Sequence, residues 1–140
     1  MKMTVTTLAL AAAFSAVLAV APVSAEMLAF KADLKGASEV PPADTPATGT
    51  ATVNVDTATK EAKWTIQFSG LTGDATAAHF HGPAAEGENA GPVVDISGKV
   101  ESGSATLTDA QLADLQAGKM YINIHTAKFP DGEIRGQVVK

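Results

Sequence analysis

The three histidines of this sequence are the residues whose type and spacing could support chemistry. His79 and His81 lie two positions apart in a strand-like segment, and residues two apart on a strand point to the same face, so both rings share one side. His125 lies near the end of a second such segment, 120–126, in which Ile122 and Ile124 would face a core. Two adjacent strands of this kind would bring all three imidazoles together.

Three imidazoles that reach one point predict a mononuclear metal site at His79, His81 and His125. Imidazole nitrogen suits copper, zinc, nickel or iron. The sequence has no cysteine, which excludes thiolate ligands and thiolate chemistry. We expect one copper or zinc ion, and the candidates for a fourth ligand are Glu86, Glu88, Tyr121 and water.

The same histidines have two other interpretations. In a structural role, His79 and His81 would form hydrogen bonds that fix the loop after their strand, and His125 would do the same for its following turn. Alternatively, the rings would line a polar pocket for a small ligand. Tyr121 and Asn123 are expected on the His125 face, where they could orient an imidazole.

The remaining polar residues do not indicate hydrolysis or phosphate binding. The sequence has no Gly-x-Ser-x-Gly motif and no glycine-rich loop that leads from a strand into a helix. Arg135 is predicted to form an ion pair with Glu39 or Glu133, or else to anchor a partner. We therefore expect binding rather than catalysis.

Alternation of apolar and polar residues predicts the strands that must position the histidines. Trp64, Ile66 and Phe68 form the bulkiest apolar face and are predicted to be core. Thr108 and Gln111 have the spacing of a capping box at the start of a helix over 108–117. The predicted strands are 28–34, 49–55, 62–69, 77–81, 92–96, 99–107, 120–126 and 133–139.

This pattern of short strands predicts an all-β fold, an antiparallel Greek-key β-sandwich of immunoglobulin-like or superoxide-dismutase-like type with one short helix. Pro41, Pro42 and Pro46 interrupt residues 36–48, which predicts a long loop between strands. The helix is short and is expected to cover one end of the sheet structure.

Residues 1–25 have the pattern of a secretory signal peptide: Lys2 is followed by the apolar run 8–20 and by Val23-Ser24-Ala25, which resembles a cleavage site. The mature chain would be one domain, residues 26–140, in a periplasm or outside the cell. The apolar run is shorter than the roughly 20 residues of a membrane-spanning helix, so we expect no stable membrane insertion after cleavage.

The charge of the chain argues against nucleic acid as a partner. The net charge is −5, and lysines and arginines are not clustered. Nucleic-acid binding proteins use clusters of basic residues to neutralise phosphates.

Four motifs along the chain resemble the CHRD family, the chordin-type domain. They are Gly-Ala-Ser-Glu-Val-Pro-Pro at 36–42, Ala-His-Phe-His-Gly-Pro-Ala at 78–84, and the longer segments 115–126 and 130–138. The resemblance implies a secreted or cell-surface β-sandwich, found as a repeated module in the animal morphogen antagonist chordin and as a stand-alone exported protein in bacteria. It implies no reaction. The cysteine-rich repeats that bind growth factors in chordin have no counterpart here, so morphogen antagonism does not carry over.

The His-x-His strand with a distant third histidine is also similar to the histidine arrangement of copper/zinc superoxide dismutase. That enzyme's two-metal site needs more histidines than this sequence has, which limits this chain to a mononuclear site. Three hypotheses follow: an exported binding protein that holds one copper or zinc ion, a structural or adhesive envelope module that contacts proteins or glycans, and a mononuclear copper redox enzyme.

Overall fold

A computed structural model describes residues 19–22 and 24–140 of the chain. Most of the predicted signal peptide, 1–25, lies outside the described residues. The strands are β1 (Met27–Lys35), β2 (Thr48–Asp56), β3 (Glu61–Ser69), β4 (Ala75–His81), β5 (Pro92–Asp95), β6 (Ser102–Thr106), β7 (Tyr121–Thr126) and β8 (Ile134–Gln137), and the helix α1 spans Asp109–Gln116.

The eight strands form one sheet in the order β5-β4-β7-β8-β1-β2-β3-β6, with every neighbouring pair antiparallel. Two four-stranded halves meet at β8 and β1, where Lys35 pairs with Arg135 and an isolated bridge joins Lys31 to Val139. The halves curve over a common core, so that Trp64 on β3 contacts Phe80 on β4 with ring centroids 5.7 Å apart.

The all-β antiparallel prediction is therefore confirmed, but the architecture differs from the predicted Greek-key sandwich. The sheet is continuous and nearly closed, like a barrel, instead of forming two separate sheets. The reason is that alternation predicts which side chains of a strand are buried, whereas strand order depends on pairing between distant segments.

The core follows the predicted alternation. In β1, buried and exposed residues alternate along the whole strand. Trp64 and Ile66 are buried as predicted, while Phe68 is only partly buried at the edge of the core. Burying one such side chain contributes about 1.5–3 kcal/mol, so this apolar interior is the main source of stability.

The helix begins at the predicted capping box. The Thr108 hydroxyl accepts a hydrogen bond from Gln111 N at 3.1 Å, and the Gln111 side-chain oxygen accepts one from Thr108 N at 2.9 Å. Leu115 anchors the helix in the core. The predicted strand 99–107 is shorter than expected, because a 3₁₀ turn occupies Ser97–Lys99 and the strand starts at Ser102.

The histidine strands β4 and β7 are adjacent in the interior of the sheet. In their register His79 pairs with Asn123, Ala77 pairs with His125, and His81 pairs with Tyr121. Both faces of β7 are covered from its first residue to Ile124, whereas the sequence predicted only one buried face. Within residues 19–22 and 24–140, no helix combines the length and apolar composition needed to cross a membrane.

Candidate metal centre

The structure brings the three predicted histidines together. One ring nitrogen from each of His79, His81 and His125 lies within 4.8 Å of the other two. The closest pair is His79 Nδ1 and His125 Nε2, which are 3.2 Å apart. Side chains two residues apart on one strand, and diagonal to each other on its neighbour, are close enough for this contact.

Backbone carbonyl groups fix the tautomers of two of the rings. The Nδ1 atom of His81 lies 2.8 Å from Ala90 O, and the Nδ1 atom of His125 lies 2.8 Å from Pro130 O. A carbonyl oxygen can only accept, so each Nδ1 carries the hydrogen and donates it. In the neutral ring, Nε2 then has a free lone pair, which is the arrangement found in metal-binding histidines.

The third ring has a weaker orienting partner. His79 Nε2 lies 3.9 Å from the Asp95 carboxylate, which is beyond hydrogen-bond reach. His79 Nδ1 lies 3.2 Å from His125 Nε2 and can donate to its lone pair in the metal-free protein. The His79 side chain is 21% exposed, so this side of the cluster is open to solvent. One common region is bordered by His79 Nδ1, His81 Nε2 and His125 Nε2, and His79 would offer a metal ion its Nδ1 lone pair once its hydrogen lies on Nε2.

The electrostatics favour the neutral form of His79 and His81. Burial lowers the pKa of His79, the charge of His125 lowers it further, and Asp95 opposes both effects. Burial also lowers the pKa of His81, although its hydrogen bonds to Ala90 and Asn123 act in the opposite direction. A lowered pKa keeps both rings neutral at pH 7, and the neutral ring is the form that binds metal.

Asn123 lies between two of the rings. Its side-chain oxygen Oδ1 is 2.8 Å from His81 Nε2 and 2.9 Å from His125 Nε2. The residue is buried in β7. The predicted contact between Asn123 and an imidazole is therefore present, and it involves two imidazoles.

A stack of three flat groups holds His81 in place. The Tyr121 ring lies parallel to the His81 ring at 4.7 Å, and the Arg135 guanidinium lies 3.5 Å from the centre of the opposite Tyr121 face. The Tyr121 hydroxyl donates to Ala90 O at 3.0 Å. Tyr121 thus supports both the ring and the carbonyl that fixes its tautomer.

The ion pair predicted for Arg135 is wrong. Its guanidinium donates to Asn89 Oδ1 at 2.9 Å and to the backbone oxygen of Glu88, and within the described part of the chain it forms no ion pair with Glu39 or Glu133. The loop after β4 folds over Arg135 and supplies neutral oxygens instead of a carboxylate.

The three side chains named from the sequence as fourth ligands, Glu86, Glu88 and Tyr121, do not join the cluster. Glu86 and Glu88 are exposed, and the cluster of ligand-capable groups contains only the three histidines. The Glu88 carboxylate accepts a hydrogen bond from Ala85 N at 3.4 Å. The Tyr121 hydroxyl is occupied by the backbone of Ala90, to which it donates and from which it accepts.

Glu39 also lies in this region, although the histidine spacing did not point to it. It is buried, and its Oε1 atom has no hydrogen-bond partner among the described residues. Burial raises the pKa of Glu39 to about 7, although the charge of Arg135 and a hydrogen bond with Asn123 lower it. Gly132 makes room for it, because a Cβ there would overlap both the Glu39 carboxyl group and Asn123 Nδ2. Its place in the first CHRD-like motif, 36–42, was the available signal.

Comparison with known proteins gives one match. The family model for the CHRD domain matches residues 30–138, which is most of the chain. No curated protein and no solved structure matches.

Proposed function

This chain belongs to the CHRD domain family, and we propose that its domain binds one copper or zinc ion through His79 Nδ1, His81 Nε2 and His125 Nε2. The proposal is supported above all by two backbone carbonyls, Ala90 O and Pro130 O, which hold a hydrogen on the Nδ1 atoms of His81 and His125, the outer nitrogens of these rings. The Nε2 atoms of the two rings, the inner nitrogens, are then free to bind a cation.

The contacts of the inner nitrogens with Asn123 Oδ1 support the same conclusion. With neutral rings, Asn123 Oδ1 faces the lone pairs of His81 Nε2 at 2.8 Å and His125 Nε2 at 2.9 Å, so two close contacts join acceptors to acceptors. A buried acceptor without a donor costs about 1–3 kcal/mol. A metal ion removes this cost, because all of these lone pairs can point at one cation.

The donor set favours a borderline transition metal. Imidazole nitrogens suit copper and zinc, while magnesium and calcium prefer oxygen ligands. His79 and His125 are only partly buried, so a metal ion can enter from the solvent side.

The structural role remains a second candidate, favoured by the same two hydrogen bonds. His81 and His125 each tie a loop to the sheet, through Ala90 O and Pro130 O. His79 separates the two functions, because its ring bonds to no backbone carbonyl among the described residues.

Calorimetric titration of chelator-treated protein 26–140 with Cu²⁺ and with Zn²⁺ tests the metal proposal. We expect binding of one ion per chain, and a loss of affinity of at least about tenfold in His79→Ala, His81→Ala and His125→Ala. His79→Ala should keep the wild-type melting temperature within a few degrees, whereas His81→Ala should lower it. Gln67→Ala, at an exposed position on β3, is the control.

Two results would contradict the proposal. Folded wild-type protein that binds neither metal would assign the histidines to loop fixation. Wild-type affinity in a folded His79→Ala variant would exclude a three-histidine site.

Redox activity is a separate and more specific hypothesis, which requires copper. It predicts superoxide dismutation by the copper-loaded protein and no activity in the zinc-loaded protein or in copper-treated His79→Ala. Equal activity in all three samples would show that the site is not responsible.

We also propose that the protein is exported, on the basis of the leader pattern in residues 1–25. In a bacterial host we expect the full-length chain in the periplasm or the medium, with Glu26 as its first residue by amino-terminal sequencing. A variant that lacks residues 2–25 is the control. An uncleaved chain that stays in the cytoplasm would contradict export.

A further inference from the structure

We infer that the side-chain oxygen of Asn123 is the fourth donor of the histidine site, which makes the site one of three nitrogens and one oxygen. The inference rests on the proposed function, because an amide oxygen acts as a ligand only if a metal ion binds. It replaces Glu86, Glu88 and Tyr121, which the sequence suggested for this position.

The first argument is the position of the oxygen. Asn123 Oδ1 lies 2.8 Å from His81 Nε2 and 2.9 Å from His125 Nε2, so it borders the region that the ring lone pairs face. Because both outer nitrogens donate to carbonyl groups, neutral rings have no hydrogen to offer this oxygen. Three acceptors so close together are held favourably by a cation that all of them contact.

The second argument is the orientation of the amide. On the side of the amide away from the histidines, Asn123 Nδ2 donates to Asp131 O at 3.5 Å and approaches the Glu39 carboxyl group next to Gly132. If the amide were turned over, Oδ1 would face the Asp131 carbonyl oxygen, and an acceptor would again meet an acceptor. The acceptors behind the amide favour the oxygen toward the histidines, whereas the two ring lone pairs favour the nitrogen there. A bound cation would therefore select the orientation with the oxygen toward the rings.

The third argument is the rigidity of the position. Asn123 is 3% exposed, and it pairs with both neighbours of β7, with His79 on β4 and Arg135 on β8. A donor on an interior strand is already held in place before the metal binds, so little conformational entropy is lost on binding.

Infrared difference spectroscopy tests the inference directly. Protein labelled with ¹³C at the asparagine side-chain carbonyl contains three labelled groups, at Asn54, Asn89 and Asn123. We expect Zn²⁺ to shift one labelled carbonyl band in the wild type and in Asn54→Leu, and to shift none in Asn123→Leu. Asn54 is exposed on β2 and is the matched control.

Affinity and the copper spectrum provide a second measurement. We expect Asn123→Leu to bind Zn²⁺ at least tenfold more weakly than the wild type and to shift the visible absorption band of bound Cu²⁺, because one oxygen donor is lost. Asn54→Leu should match the wild type in both respects.

An unshifted labelled band in wild-type protein with bound Zn²⁺ would overturn the inference and leave the histidine site intact. Weaker binding by Asn123→Leu together with an unshifted wild-type band would make Asn123 a positioning residue. A wild type that binds no metal would overturn the proposed function as well. The wild-type measurement alone can overturn the inference. If Asn123→Leu does not fold, a band shift that persists in both Asn54→Leu and Asn89→Leu assigns the shifted carbonyl to Asn123 by elimination.

Discussion

Glu133 should be one of the strongest polar contributors to the stability of this domain. Its carboxylate is completely buried. It accepts four hydrogen bonds: from the hydroxyl of Thr45 at 2.7 Å, from the backbone N–H and hydroxyl of Thr72 at 3.0 and 2.9 Å, and from the hydroxyl of Thr126 at 2.6 Å. These bonds join two loops to β7, so their loss should affect the whole fold.

We expect Glu133→Gln to lower the free energy of unfolding by about 2–3 kcal/mol at pH 7. Glutamine keeps the shape, and its oxygen can take the place of Oε1 opposite Thr45 and the Thr72 N–H. Its nitrogen then replaces Oε2, so the hydroxyls of Thr72 and Thr126 must rotate and two charge-assisted bonds are lost. A hydrogen bond to a charged group contributes about 1.5–3 kcal/mol, and rotation of the hydroxyls recovers part of the loss.

The pH dependence of this difference provides an independent check. Burial acts to raise the pKa of Glu133, but the hydrogen bonds from Thr126, Thr45 and Thr72 outweigh it, and the pKa is lowered. On acidification the unfolded chain therefore takes up this proton first, so the stabilisation by Glu133 is complete above about pH 4.5 and is lost as the pH falls through the folded-state pKa. The difference between the wild type and Glu133→Gln should shrink accordingly.

Urea unfolding followed by the fluorescence of Trp64, the single tryptophan, measures both effects. The matched control is Glu101→Gln at an exposed position, which should stay within about 0.5 kcal/mol of the wild type. The reasoning is refuted if Glu133→Gln is as stable as the wild type at pH 7. It is also refuted if the difference between them stays constant down to pH 3.

Three further predictions concern metal-free protein. The wild type should lose about 3 kcal/mol of stability between pH 4.5 and pH 7, because folded Glu39, with its pKa of about 7, keeps a proton that the unfolded chain releases, and Glu39→Gln should abolish this loss. Urea unfolding at both pH values measures the loss, and a flat wild-type profile would contradict the prediction. Gly132→Ala should lower the melting temperature by 5 °C or more, a loss of roughly 2 kcal/mol, since φ of Gly132 is 129° and the methyl group would overlap Glu39. Gly91→Ala, where a Cβ meets open space, should leave the melting temperature unchanged, and equal effects of the two substitutions would refute the overlap. Thr108→Ala should cost about 1 kcal/mol in urea unfolding through loss of the cap on α1, and Thr108→Ser should retain most of it.

Much of the fold could be predicted from the sequence, because local patterns determine its elements. Alternation located the eight strands, and Thr108 with Gln111 located the start of the helix. The period-two spacing of His79 and His81 placed both rings on one face. The continuous, nearly closed sheet was not predicted, because β8 and β1 are linked only by the pair Lys35 with Arg135 and by the isolated bridge of Lys31 with Val139, which leave no pattern in either segment.

The histidine cluster and its surroundings could be predicted only in part, for a related reason. The three histidines followed from spacing, but the partners of their outer nitrogens are backbone oxygens of Ala90 and Pro130. Every residue has such an oxygen, so no side-chain pattern reveals which one will reach a ring. One partner of Arg135, the backbone oxygen of Glu88, was missed for the same reason. The other, Asn89 Oδ1, was missed because the predicted ion pair considered only carboxylates.

The two buried glutamates show how far residue type alone can mislead. Glu133 meets three threonine side chains and a backbone N–H, which lowers its pKa. Glu39 has one oxygen without a partner, and burial raises its pKa to about 7. The sequence gives both the same carboxyl group, and only the partners supplied by distant segments decide whether burial of that group stabilises the fold or opposes it.

The CHRD-like motifs meet at the histidine cluster even though they are spread along the chain. Motif 36–42 supplies Glu39, motif 78–84 supplies two histidines, motif 115–126 supplies Tyr121, Asn123 and the third histidine, and motif 130–138 supplies Gly132 and Arg135. The same motifs also supply core residues, among them Phe80, Ile122 and Ile134. The residues at the cluster, in contrast, are polar, aromatic or glycine and contact one another at one edge of the core, which a role in apolar packing alone does not require. The segments that carry the family resemblance are therefore the segments that build the site, so the function of this domain is best sought at that site.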